Sequence, residues 1–175
     1  MRWVAQAPIH KCLVPASLFE HGLGTLVFSR ALPNGHIALS LFLLDMFCLG
    51  VKNAFFTMGT KLEYEAHLSG CSISQGLEPM HPACFRKLVE GGVAYAQELG
   101  FNPHADYVVA RQIFGDVDSA ACPTRFEYGR EGKPLYVSGP HETSAQVRAT
   151  LDQLERHLGP GNFHYLVLAH QTGEL

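Results

Sequence analysis

The run Asp45-Met46-Phe47-Cys48-Leu49-Gly50-Val51-Lys52 places a carboxylate, a thiol and an amine close together in the chain. Asp45 interrupts a stretch that is otherwise apolar. A buried carboxylate must be paired, hydrogen-bonded or held neutral. Asp45 is therefore a candidate metal ligand or general acid/base with Lys52 beside it, and Cys48 a candidate nucleophile. His164 alternates with Phe163 and Tyr165 near the C-terminus, and across a sheet it could meet Asp45 or Cys48 in a cysteine–histidine arrangement. The plainer reading of the same residues is a carboxylate that closes a strand end or pairs with Lys52, and a thiol that serves as a small hydrophobe.

Three further groups have suitable types. His67, Cys71, His81 and Cys84 form two close pairs of zinc-type ligands. They equally suit a loop histidine, two buried thiols and a histidine capping a helix. Asp116 and Asp118 could hold Mg²⁺ through oxygen. Joined by Asp45, they would make a metal site for hydrolysis of phosphoesters or nucleic acid, although Asp-rich turns also satisfy their own backbone. The stretch Phe126-Glu127-Tyr128-Gly129-Arg130-Glu131-Gly132-Lys133-Pro134-Leu135-Tyr136 interleaves aromatic and basic residues, which can stack bases and hold phosphates. Glu127 and Glu131 weaken that reading, and a plain edge hairpin with a charged tip is the alternative. A glycine-rich phosphate loop, a Gly-x-Ser-x-Gly elbow and a His-Glu-x-x-His helix are all missing.

The elements that must carry these groups are legible in part. Thr25–Leu32 and His36–Phe47 flank Pro33-Asn34-Gly35, and Asn-Gly between apolar runs signals a hairpin whose turn positions need positive φ. Ile37–Leu44 is apolar on both faces and predicts a strand covered on both sides. Residues 57–80, broken by Gly59, Gly70, Gly76 and Pro79, read as a long irregular loop. Pro82 opens a helix whose face is Phe85, Leu88, Val89, Gly92, Val93, Ala96 and Leu99, closed by Gly100 with Phe101 packing back. Gly91 and Gly92 in it imply close approach by another element. A second helix is expected over 104–114, stopped by Gly115. A hairpin is expected from Phe126–Tyr128 to Leu135–Ser138. Thr143-Ser144-Ala145-Gln146 is a capping box that opens a helix with Val147, Leu151, Leu154 and Leu158 on one side. Phe163–Ala169 reads as a last strand. The fold class is α+β: one domain over 1–175, a single mixed or mainly antiparallel sheet built from hairpins, with about three helices packed on it.

Composition narrows the function classes. In 175 residues, 47% are hydrophobic and 17% charged, so the chain can bury a core and is no disordered tail. A net charge of −3 gives no strong DNA-binding signature. No stretch reaches the length of a membrane helix, and the first residues lack the apolar core of a secretory signal. Five cysteines, an odd number, fit a reducing cytoplasm.

The segments Phe42–Lys52, Ala94–His104 and Phe126–Pro140 together resemble a family of uncharacterised bacterial proteins, over roughly residues 10–168. The resemblance implies a bacterial intracellular protein and transfers no activity or site residue. The first expectation is a binding or regulatory domain contacting a protein or RNA partner, without a membrane. The alternatives are a metal-dependent hydrolase (Mg or Zn) and a cysteine-dependent hydrolase using Cys48 and a histidine.

Overall fold

The computed structural model describes residues 2–167. Five strands form an antiparallel sheet: β1 (Ile9–Pro15), β2 (Leu23–Ala31), β3 (Ile37–Asp45), β4 (Gly50–Gly59) and β5 (Leu77–Pro79), in the spatial order β4-β3-β2-β1-β5. The Asn-Gly hairpin is present between β2 and β3, with φ of 65° at Asn34 and 76° at Gly35. Side chains along β2 and β3 alternate with the pleat. Leu26, Phe28, Ala38, Phe42 and Leu44 enter one core, and Val27, Ile37 and Leu39 enter another on the opposite face. β3 is thus covered on both sides, as its unbroken apolar run predicts.

Helices α1 (Arg2–Ala5) and α2 (Leu18–His21) are single turns, α3 (Lys61–Gln75) and α4 (Pro82–Glu98) are long, α5 (Tyr107–Ala110) runs into a 3₁₀ segment Arg111–Phe114, and α6 (Ser144–Leu158) closes the set. The helices outnumber the three expected. The largest departure is α3, which occupies most of the stretch expected to be a loop. Its start is a reciprocal cap: Thr60 N–H donates to Glu63 Oε2 at 2.7 Å, and Glu63 N–H to Thr60 Oγ1 at 3.3 Å. Tyr64 and Leu68, one turn apart, bury its inner stripe against Ile37 and Leu39.

α4 behaves as its periodicity predicts. Phe85, Leu88, Val89, Gly92, Val93 and Ala96 are buried along one face. It ends with Phe101 N–H on Ala96 O at 2.9 Å and Gly100 N–H on Gln97 O at 3.0 Å, a glycine-capped terminus. Phe28, Phe42, Phe85 and Phe114 lock α4 and the 3₁₀ segment to the sheet, with ring centroids 5.3 Å apart for Phe28–Phe85, Phe28–Phe114 and Phe42–Phe114. Such pairs add about 0.5–1.5 kcal/mol each beyond area burial. The helix expected from residue 104 starts at Tyr107 and turns 3₁₀ after one turn. The capping box at Thr143 and Gln146 is formed.

The second hairpin is not formed as expected. Residues 126–128 form no strand. The tip shrinks to a tight turn, Arg130 bridged to Lys133, with positive φ at Glu131 and Gly132. The chain then forms β6 (Leu135–Val137), which pairs in parallel with β7 (His164–Leu166). Residues 168 and 169 of the predicted last strand lie outside the described residues. No helix among the described residues is long and apolar enough to cross a membrane.

Candidate functional site

Asp45 ends β3, and its carboxylate organises the turn into β4. Asp45 Oδ1 accepts the amide hydrogens of Phe47 at 2.9 Å and Cys48 at 3.0 Å. Burial raises the Asp45 carboxyl above its ordinary range, against the opposing pull of the Phe47 hydrogen bond, the Lys52 charge and further backbone bonds. Lys52 itself lies 3.9 Å from Glu142 Oε2. Cys48 is 0% exposed and packs among Leu99, Tyr136, Val147 and Leu154. Burial pushes its thiol up, and the Asp45 charge adds to this, which suppresses the thiolate a nucleophile needs. His164 lies on β7 with its side chain exposed. No hydrogen bond joins it to Cys48, so the expected cysteine–histidine pair is not assembled: the thiol faces the core and the imidazole faces solvent.

The metal constellations come apart too. Cys84 is disulfide-bonded to Cys122, with Cα atoms 4.9 Å apart, which removes it from the zinc cluster. His81 caps α4, accepting Ala83 N–H at Nδ1 over 3.3 Å. His67 leans on the Phe55 ring at 5.5 Å, and Cys71 sits half-buried in α3. Asp118 accepts Ala120 N–H at 2.9 Å and starts a 3₁₀ turn, Ser119–Ala121. Asp116 interacts with Arg30, which pairs across with Ala38, whereas Asp45 pairs with Leu23. Leu23 and Arg30 are separated along β2 by about 23 Å at the usual strand rise. The carboxylates of Asp45 and Asp116 therefore belong to opposite ends of the sheet. Among the described residues, no group of three or more His, Cys, Asp or Glu side chains gathers to hold a metal ion.

What the fold does assemble is an open aromatic groove. Its first wall is α2, a single turn ended by Gly22 in the left-handed region, with Gly22 N–H on Leu18 O at 2.7 Å. Gly22 is required there, because a β carbon would enter the Phe47 ring. α2 leaves Phe19 half in solvent, at 50% exposure. The second wall is the irregular stretch from Thr124 to Glu127. Its Phe126 ring stacks on Phe19, with centroids 5.9 Å apart and planes 6° from parallel. Met46 and Phe47 of the β3–β4 turn form the floor. Arg130 places its guanidinium 5.9 Å from the Phe47 centroid, a cation–π contact. The groove holds ≈ 640 Å³, and Glu20, Arg125, Glu127 and Glu131 stand on its rim.

No protein-family model, curated protein or solved structure matches the chain. The groove is therefore read from its own geometry.

A second depression of ≈ 500 Å³ adjoins the first, sharing Arg130 and Glu131 and lined beyond them by Phe163, His164, Tyr165 and Leu166. Tyr165 is 56% exposed, so a second exposed aromatic ring lies beyond the charged pair that the two depressions share. An apolar depression with a charged rim is the ordinary form of a docking surface. Another cleft, ≈ 550 Å³, runs along α6 and ends at Val167, the last described residue. Sequence reasoning found half of the groove, through the aromatic and charged residues between Phe126 and Glu131. It missed Phe19 and Phe47, whose local sequence carries no sign of their distant partners.

Proposed function

We propose that this chain is a binding domain that receives an extended segment of a protein partner in the groove between Phe19 and Phe126. The stacked Phe19–Phe126 pair over the Met46–Phe47 floor, with Phe19 half exposed and Phe126 resting on the core, carries the reading. Aromatic shelves anchor a bulky apolar side chain with little loss of side-chain entropy. The rim sets the polarity. Three carboxylates (Glu20, Glu127 and Glu131) face two guanidinium groups, one of which, Arg130, already lies over Phe47. This balance suits a segment with basic residues flanking its apolar anchor. It disfavours RNA, whose backbone needs a net cationic track. The proposal sets the chain in the bacterial cytoplasm, with Cys12, Cys48 and Cys71 as thiols and Cys84–Cys122 as a disulfide of the kind such a compartment holds only transiently.

Selection of phage-displayed random peptides of about twelve residues on the full-length protein tests this. Enriched peptides should carry an aromatic or branched apolar residue next to Lys or Arg. Fluorescence anisotropy of such a peptide should show at least roughly ten-fold weaker binding to Phe126→Ala. A single-stranded oligouridine probe serves as the contrast. Binding of that probe, lost in Phe126→Ala and without peptide enrichment, would assign the groove to RNA and overturn the proposal.

A further inference from the structure

The disulfide between Cys84 and Cys122 is placed asymmetrically. Cys84 is the third residue of α4 and partly exposed, while Cys122 is 2% exposed. Cys84 lies in the first turn of α4, at the positive end of the helix dipole, which favours a thiolate over a thiol. Lys87, one turn further along α4, donates from Nζ to the Cys122 carbonyl at 2.9 Å and sets a cation beside the buried partner. Cys12 and Cys48 have no such setting. Both are buried, and burial pushes the Cys12 thiol up to about 12.

The same bond fastens a strap. Of the described residues from Asp118 to Arg125, Cys122 alone is buried. The strap's own backbone bonds are local, from Ala121 N–H to Asp118 O and from Cys122 N–H to Ser119 O, both at 3.2 Å. Its ends are held elsewhere: Arg86 donates to Val117 O at 2.8 Å, and Gly129 N–H donates to Met46 O at 3.0 Å. Between those ends, the disulfide and Lys87 are the ties to α4. Thr124, which lines the groove, has its hydroxyl 4.0 Å from Cys84 Sγ.

We propose that Cys84–Cys122 is a thiol–disulfide exchange site, reduced by a dithiol that attacks at Cys84, and that its reduction frees the Asp118–Arg125 strap. One thiolate of the dithiol attacks Cys84 Sγ. The Cys84–Cys122 bond breaks, and Cys122 leaves as a thiolate and takes up a proton. The second thiolate of the dithiol then attacks its own sulfur in the mixed disulfide. Cys84 departs as a thiolate at the α4 terminus, and the dithiol closes into a disulfide. Two electrons pass from the dithiol to the cysteine pair; of the two protons the dithiol gives up, one is taken up by Cys122 and the other goes to solvent. A disulfide with one sulfur open to solvent is ordinarily of the labile, redox-responsive kind. Because Thr124–Glu127 forms one wall of the groove, reduction also loosens that wall; this consequence alone rests on the preceding functional reading.

The test uses the full-length native protein in dithiothreitol buffers of graded redox poise, without denaturant. Thiols are trapped with N-ethylmaleimide and located by peptide mass spectrometry, and amide exchange is followed in parallel. The pair should reduce and reoxidise reversibly with the far-ultraviolet circular dichroism unchanged. The amides of Ala120–Cys122 should exchange roughly ten-fold faster once reduced, while those of β2 and β3 keep their protection. Cys122→Ser should form a mixed disulfide at Cys84 with oxidised glutathione, and Cys84→Ser none at Cys122. A pair that resists reductant until the sheet unfolds, unchanged exchange at Ala120–Cys122, or preferential capture at Cys122 each overturns the proposal. If a single-cysteine variant fails to fold, the reduction and exchange measurements on the unaltered chain decide it alone. No groove ligand enters any of these readouts, so a failed peptide selection leaves them intact.

Discussion

Gly50 and Gly92 meet backbone to backbone: a β carbon at Gly50 would lie 2.8 Å from the Gly92 carbonyl oxygen. Gly50 also has a φ of 64° at the start of β4, where a larger residue is strained. Through this contact, the turn that carries Met46 and Phe47 to the groove floor is pressed onto α4. On the other side of the junction, a β carbon at Gly92 would come within 2.7 Å of Leu44 Cδ1, a fully buried side chain. Gly92→Ala should therefore destabilise the chain by about 1–3 kcal/mol through overpacking. The gain of about 1 kcal/mol in helix propensity is already included in that expectation. Urea unfolding checks it, with a lowered midpoint at unchanged slope. A midpoint equal to that of the parent chain would show that the junction has room to spare.

Asp45 makes stability depend on pH in a defined direction. Its folded carboxyl titrates above the unfolded value, chiefly because burial disfavours the charge. A group raised in this way contributes fully below the unfolded value, and that contribution is lost as pH rises through the folded value. Asn at this position keeps an oxygen for the Phe47 and Cys48 amides but cannot ionise. The parent chain should thus lose stability relative to Asp45→Asn as pH rises from the ordinary carboxylate value, about 4, through the folded value. Asp45→Ala leaves two buried amides unpaired and should lose about 1–3 kcal/mol across that range. Unfolding curves at several pH values separate the three chains, and parallel profiles for parent and Asn would remove the carboxyl from the account.

Arg30 is a buried cation, 3% exposed, whose fork holds two distant pieces of chain to β2. Nε donates to Ile113 O at 2.6 Å, Nη2 to Phe114 O at 2.8 Å, and Nη1 to Ala7 O. A lysine keeps the charge but loses the planar fork that reaches all three carbonyls. A methionine leaves the carbonyls unpaired but buries no charge. Arg30→Lys should therefore be at least as destabilising as Arg30→Met, each by about 2–4 kcal/mol given the cost of unpaired buried groups. Thermal unfolding of the two variants settles the order, and a near-normal Lys variant would contradict the role assigned to the fork.

The parts of the fold written locally were readable from sequence. The positive φ values at Asn34 and Gly35, the α4 stripe and the Thr143–Gln146 cap are each determined by residues within a few positions of one another. The helix α3 was obscured by Gly59, Gly70 and Gly76, which drew attention away from the Thr60–Glu63 cap. β6 was misjudged because its partner is β7, far along the chain and parallel, rather than the segment just before it. The site suffered most from this limit. Residue types drew attention to Asp45, which ends β3, and to the Phe126–Glu131 stretch, which lies along the groove. Spacing alone could not reveal that Cys84 joins Cys122, nor that Phe126 lies on Phe19.

If the groove is a docking surface, its aromatic rings should be separable from the core by their effect on stability. Phe19 is half exposed and rests on one turn of helix, so its ring shields little apolar surface in the folded chain. Phe19→Ala should lower stability by no more than about 1 kcal/mol, near the worth of its one stacking partner. Phe114, by contrast, is 2% exposed and touches Phe28, Phe42 and Phe85. Phe114→Ala should cost about 3–5 kcal/mol through the lost burial and the cavity left behind. Binding of the selected peptide should move the opposite way, weakened at least roughly ten-fold by Phe19→Ala in a chain that still melts close to the parent temperature. A Phe19→Ala chain that binds normally would place the anchor elsewhere, towards Tyr165. One that unfolds like Phe114→Ala would make the stacked pair a structural contact and not a binding one.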